Sequence, residues 1–274
     1  MAAHDQHGAD IRFDWGPNGL DALLAGGVRT VVVVDVLRFT TALDVACGRG
    51  AAVTPWPLSD RGAAEEAARR GALLAQAAPP SGDVGTPSLS PVSLRNLQAS
   101  DHLLLRSPNG AALSCRAAAA GVTVLAACLR NATAVARAVT AFPLGVVAAG
   151  ERWPDGSLRP AVEDAWGAGT VIAALAGPAG PDPALGLLAL LGEAVAQQAP
   201  TGRSGPRRSV SPEAGWIAAA VPADLTDQLP LTASGRELNK AGWSLDIEVA
   251  AARDVSRTVP RLDPTGTFRA SGGC

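Results

Sequence analysis

Asp35, Arg38, Thr40 and Thr41 fall within seven residues at the end of an apolar run, in VVVVDVLRFTT. Those types could hold a phosphate oxyanion beside a hard cation. Arginine offers a fork of donors, hydroxyls and backbone N–H groups complete the cradle, and carboxylates supply oxygen ligands for magnesium. Similar residues follow other apolar runs: Asn109-Gly110 in RSPNGAA, Asn131 in ACLRNAT, and Glu163-Asp164 in GERWPDGSLRPAVEDAWGAG. Each also has a plain structural reading. Asp35 alone can cap a turn. Glu163 and Asp164 would open a helix, where the dipole favours acids in any protein, or one could bind a metal while the other orients water. Asn109-Gly110 signals a tight turn, and a turn with free N–H groups also cradles anions. Asn131 is of the type that caps helices.

Several phosphate chemistries are excluded by reading. The only lysine, Lys240, sits in NKAGW without a glycine loop, so no Walker A motif is present. CGRGAAV has two glycines of a dinucleotide fingerprint and Val53 where the third belongs. A cysteine phosphatase would place arginine six positions after its cysteine; Val53, Gly121 and Ala134 stand there. Leu37, two positions after Asp35, removes the D-x-D pattern of the haloacid dehalogenase type. His4, His7 and His102 make no zinc set, and Cys47, Cys115, Cys128 and Cys274 match no zinc or redox spacing.

These residues need a scaffold. Short apolar runs at Val28–Val36, His102–Arg106, Val122–Ala127 and Leu144–Ala149 are expected to be buried strands. Helical patterns over 59–76, capped by Ser59 or Asp60, and over 130–142, 163–177 and 183–198 alternate with them. The alternation predicts an α/β fold with helices covering the sheet. The segment 245–262 reads as one more strand and a polar exit. Residues 1–10 are expected to form a flexible tail and 200–215, rich in Pro, Gly, Ser and Arg, a mobile loop. One compact unit over 1–274, with room for two lobes, is the expected organisation.

Composition narrows the partners. The formal net charge is −2 and tyrosine is absent, which argues against a partner held by bulk charge or by base stacking. No nucleic acid and no membrane surface are expected. The opening MAAHDQHGAD lacks a leader's apolar core, and the cysteines read as reduced thiols, so the expected location is the cytoplasm. Richness in Ala, Gly, Pro and Arg fits a bacterial genome of high GC content. A homodimer is compatible with so apolar a chain.

The order DVLRFTTALDVACGRGA, RSPNGAAL, CLRNATAVA, GERWPDGSLRPAVEDAWGAG and SGRELNKAGWSLDIEVAAARDVSRTVP resembles the 2-phosphosulfolactate phosphatase (ComB) family from Val31 to Pro260. The resemblance implies a three-layer α/β/α fold with a mixed sheet, magnesium, and hydrolysis of a small anionic phosphate monoester. It matches Asp35, Val36, Leu37, Arg38, Thr40 and Thr41 to a D-V-L-R-A-T-T element, with Phe39 replacing the small residue. It matches Asn109-Gly110, Asn131-Ala132, Glu163, Asp164, Ala168, Gly169, Gly235-Arg236 and Asp246-Ile247 to later elements, with Ser234 in place of a usual histidine. On that basis Asp35, Arg38, Glu163 and Asp164 are expected to be catalytic, with Asp35, Glu163 and Asp164 holding Mg2+. Thr40, Thr41, Asn109, Gly110, Asn131 and Arg236 are expected to contact the substrate.

One element departs. The family's G-E-R-x-G loop leading to G-N-S-P is represented by PSGDVGTPSLSP, where Gly82, Gly85, Ser90 and Pro91 keep the outline and Asp83 stands for the acid. The departure leaves 2-phosphosulfolactate and a related compound both open as substrate. It also admits a rival of another class, a weakened family member that binds an anionic metabolite without turning it over.

Overall fold

The computed structural model describes residues 4–57, 62–77, 80, 82–177 and 208–271. The helix expected over 183–198, the Ser59 or Asp60 cap and Cys274 lie outside the described residues. In chain order the strands are β1 (Ile11–Trp15), β2 (Thr30–Val34), β3 (Ala52–Trp56), β4 (Leu73–Leu74), β5 (His102–Arg106), β6 (Thr123–Ala127), β7 (Leu144–Ala148), β8 (Glu151–Arg152), β9 (Leu158–Arg159), β10 (Pro260–Leu262) and β11 (Phe268–Ala270). The helices are α1 (Gly16–Ala25), α2 (Phe39–Gly48), α3 (Ala63–Arg70), α4 (Gly110–Ala119), α5 (Ala132–Ala138), α6 (Val162–Ala176), α7 (Pro212–Ala219), α8 (Leu225–Gln228), α9 (Ala233–Lys240) and α10 (Ser244–Ala251).

Nine strands form one mixed sheet in the order β1-β7-β2-β6-β10-β11-β3-β5-β4, and β8 pairs with β9 in a separate hairpin. The interior strand β2, TVVVV, is buried along its length, because its β-branched side chains fill the space on both faces. Val32 and Val34 join one core with α5, α6, α7 and α10; Val31 and Val33 join the other with α1, α2 and α4. The expected α/β/α layering is therefore the observed one. α6 lies close over the end of β2 because Gly167 has no side chain; a Cβ there would sit 2.6 Å from Val36 Cγ2.

Two local expectations are corrected. The segment 245–262 begins as α10, not as a strand, and its strand residues are only Pro260–Leu262. Ile247, Ala250 and Ala251 bury one side of that helix, a tertiary contact that overrides the β-like Ile-x-Val pattern. α3 stops at Arg70 because Gly71 turns left-handed at φ 62°, after which Leu73 and Leu74 extend into β4. The described parts of the two segments expected to be flexible, 4–10 and 208–215, make the following contacts. The buried Arg12 guanidinium donates to the carbonyls of Asp5, Ala9 and Gly26, and Gln6 clasps the backbone of Phe13. Ser209 bonds Asp10, and Ser211 caps α7 through the Ala214 N–H, so 208–215 is tied to β1.

The β10–β11 hairpin wedges between β6 and β3. One bridge, Arg261 to Leu125, joins it to one half of the sheet, and one bridge, Phe268 to Val53, to the other.

Candidate active site

β2 ends at Val34, and Asp35 begins the turn into α2. Its carboxylate is gripped on both oxygens. The Phe39 N–H donates to Oδ1 at 3.2 Å; the Gly110 N–H donates to Oδ2 at 2.9 Å, with the Ser107 hydroxyl at 3.5 Å. Only glycine can bring that N–H so near, since a Cβ on Gly110 would lie 2.3 Å from Phe39 Cδ1 and 2.7 Å from Asp35 Oδ2. The turns after β2 and β5 are thereby joined at the carboxyl edge of the sheet, where open α/β proteins place their ligands.

Asp35 and Arg38 line a cavity of about 340 Å³ together with Ser107, Asn109, Glu151 and Trp243. An adjoining cavity of about 520 Å³ shares Asn109 and Glu151 and reaches Arg116 and Arg152. A larger space of about 660 Å³ opens at the β10–β11 hairpin and touches none of the acids at the sheet edge; the chemistry favours the smaller cavity. The Arg38 guanidinium is held from two sides. Its Nη1 donates to Asp246 Oδ2 at 2.6 Å, and its carbon lies 5.2 Å from the centre of the Trp243 ring. Asp246 Oδ1 accepts from the Ser90 hydroxyl at 2.5 Å.

Four acids collect behind this edge, and their charges act on one another. Burial pushes the Asp35 carboxyl up to about 6; the Phe39 and Gly110 N–H groups oppose this, and the charge of Glu163 adds to it. Burial pushes Glu151 up to about 7, with the charges of Asp35 and Glu163 adding and Arg159 opposing. Arg159 stands opposite Glu151 across the β8–β9 pair, and the Asn109 amide donates to Glu151 Oε2 at 3.3 Å. Asp164 is also raised, first by burial and then by Asp35 and Glu163.

Not every expected site residue reaches this space. Thr40 and Thr41 are fully buried, and their hydroxyls donate to the carbonyls of Asp35 and Val36, closing the turn instead of facing a ligand. Asn131 accepts from the Cys128 N–H and donates to the carbonyls of Ala126 and Thr258, so it pins the end of β6 to the C-terminal segment. Arg236 donates to the Leu231 carbonyl and lines neither of the two adjoining cavities, although Ser234 lines the smaller one. The Gly110 N–H serves Asp35, not a free anion. Asp164 accepts the Val36 N–H on one oxygen and the Gly150 N–H on the other, at 2.7 and 2.8 Å, tying the turn after β2 to the turn after β7.

The fit to magnesium is correspondingly narrower than three carboxylates. Among the described residues no group of three or more His, Cys, Asp or Glu is gathered closely enough to hold a metal alone. Asp35, which unlike Asp164 lines the cavity, and Glu163, whose charge acts on Asp35 from outside that lining, remain as candidate donors. Glu163 is 2 % exposed, and no described residue donates a hydrogen bond to its carboxylate. Its oxygens are not among the buried polar atoms left without a partner, so they stay open to an incoming ion. Magnesium commonly takes one or two carboxylates and fills its shell with water and phosphate oxygens, so this pair fits it.

Sequence reasoning missed Glu151, Ser107, Asp246 and Trp243 as members of the site. Ser107 directly follows β5 and Glu151 follows β7 after two residues, so position after a strand was the usable signal. Asp246 is marked only by its match to a family element, with no role attached, and nothing local distinguishes Trp243. A family model described as 2-phosphosulpholactate phosphatase matches residues 24–203, more than half of the chain. The match includes Asp35, Arg38, Asn109, Glu151 and Glu163 and ends before Asp246. No curated protein matches the chain.

Proposed function

The chain belongs to the 2-phosphosulpholactate phosphatase family, a family of phosphoric monoester hydrolases, and from this premise we propose that it hydrolyses a small anionic phosphate ester, 2-phosphosulfolactate or a related compound, with magnesium. The observation that carries the reading is the cavity of about 340 Å³ whose wall holds the Asp35 carboxylate and the Arg38 guanidinium together. Arg38, fixed by Asp246 and Trp243, binds phosphoryl oxygens with the N–H groups it has left. Asn109 and Ser107 orient the ester from the α4 side. Glu151 carries a proton in part of the molecules near neutral pH and stands where it can release it to the departing oxygen. Asp35 and Glu163 are the residues that would hold magnesium, which when bound supplies Lewis-acid polarisation of the phosphoryl group. A soluble cytoplasmic protein is part of the same proposal. Among the described residues no helix is long and apolar enough to cross a membrane.

The departing loop supports a changed substrate more than a lost activity. Asp83 is half-buried, caps the N–H groups of Gly85 and Thr86 and lies outside the cavity lining, while Leu89 lines the cavity and Ser90 reaches Asp246. The test is phosphate release from a panel of small phosphate esters, with and without magnesium, beside calorimetry on the same compounds. Release that needs magnesium, best with one anionic ester, is expected. Magnesium-dependent binding with no release from any ester would replace the enzyme by the binder.

A further inference from the structure

We propose that Asp246 is a positioning residue for the reaction: backed by Ser90, its carboxylate fixes the direction in which Arg38 presents its guanidinium to the cavity. This rests on the reading of Arg38 as the phosphoryl-binding group. Three segments distant in sequence meet here. Arg38 comes from the turn after β2, Ser90 from the loop after β4, and Asp246 from the first turn of α10. Asp246 is 1 % exposed and Arg38 17 %, so the acid is sealed behind the arginine and does not itself line the cavity. Any influence of Asp246 on the ligand therefore passes through Arg38.

The geometry restrains the guanidinium in two directions. Asp246 Oδ2 takes one edge at 2.6 Å, and the Trp243 ring lies against it at 5.2 Å. Trp243 and Asp246 share a turn, because the Asp246 N–H donates to the Trp243 carbonyl. The other oxygen of Asp246 is closed by Ser90 at 2.5 Å. Ser90 is in turn anchored, its N–H donating to Ser88 Oγ and its carbonyl accepting from Ser93 Oγ. A free arginine side chain has many rotamers and loses them on binding an anion. Here they are lost on folding, so the fork stands ready for phosphate. Ser90 is the residue through which the departing loop reaches the site.

The experiment uses the full chain with magnesium and measures inorganic phosphate affinity by calorimetry, alongside kcat and KM for the best ester of the panel. The variants are Ser90→Ala, Asp246→Asn, Arg38→Ala and the double Arg38→Ala/Asp246→Asn. Asp246→Asn is expected to weaken phosphate binding and lower kcat/KM by about 10- to 100-fold, and Ser90→Ala, which leaves the ion pair intact, by about three- to tenfold. In the Arg38→Ala background, Asp246→Asn is expected to add less than about twofold. A full multiplicative loss in that background overturns the proposal, as does a lower melting temperature with unchanged phosphate affinity in both single variants. Phosphate affinity is measurable in a protein that hydrolyses nothing, so absence of turnover in the wild type counts against the enzyme reading alone. Unaltered phosphate binding in Arg38→Ala, or none in the wild type, removes both.

Discussion

Glu163 and Asp164 are neighbours on the first turn of α6 and have opposite circumstances. Asp164 gives both oxygens to backbone N–H groups; Glu163 receives no hydrogen bond from the described residues although it is buried. Glu163 is therefore the one of the two left open to an ion. Glu163→Gln should abolish the rise in melting temperature that magnesium gives and leave the melting temperature in EDTA within about 2 °C of wild type. Unchanged stabilisation by magnesium would remove Glu163 from the metal site. Asn131 is the converse. Its amide holds the Cys128 N–H and two carbonyls, so Asn131→Ala should cost about 2–3 kcal/mol in urea unfolding, with kcat/KM of the folded protein within about threefold of wild type. A selective loss of activity would return it to the substrate. The sequence displays residue types and not the direction of a side chain, which is why Thr40, Thr41 and Asn131 looked like ligands beside Asp35 and Arg38. A hydroxyl or amide that closes a turn is chemically the same as one that binds phosphate.

At the scale of elements the β10–β11 hairpin is decisive. Its Phe268 is fully buried and meets Phe39 edge-on at 6.5 Å, and Phe39 is the ring against which Gly110 and Asp35 are seated. Phe268→Ala should cost roughly 3–5 kcal/mol, read as an earlier urea midpoint with the slope unchanged. A loss under about 1 kcal/mol would mean that the wedge is not needed to join the sheet. Of the five strands expected from sequence four are present, because long runs of Val, Leu and Ala are buried on both faces; the fifth, over 245–262, is mostly helix and only its end is β10. β1, β3, β11 and the two-residue β4, β8 and β9 were not legible. IRFDW carries charges, AVTPW contains a proline, and PRL and FRA are three residues each, and such strands take their identity from neighbours.

For the molecule as a whole, the raised carboxyls make stability depend on pH in a defined direction. Asp35, at about 6, and Glu151, at about 7, bind protons more tightly folded than unfolded. Their contribution is fully present below the ordinary carboxylate range and is lost as pH rises through about 6 and about 7. Without metal the melting temperature should therefore fall between about pH 5 and pH 8. Magnesium should recover part of it, and by more at pH 8 than at pH 5, since it competes with protons for Asp35. Melting curves that run parallel with and without magnesium across that range would show that the ion does not meet these carboxylates.

The wedge between β6 and β3 also sets a timetable. Val53 and Phe268 are bridged although more than two hundred positions separate them. Pairing so distant must wait for a large loop to close, and such topologies fold slowly. During synthesis, β6 and β3 exist long before the strands that join them, each with an unpaired border open to other chains. The interval before the hairpin arrives is when this protein is most exposed to aggregation, and slowing its emergence should lower the soluble yield more than slowing any earlier segment.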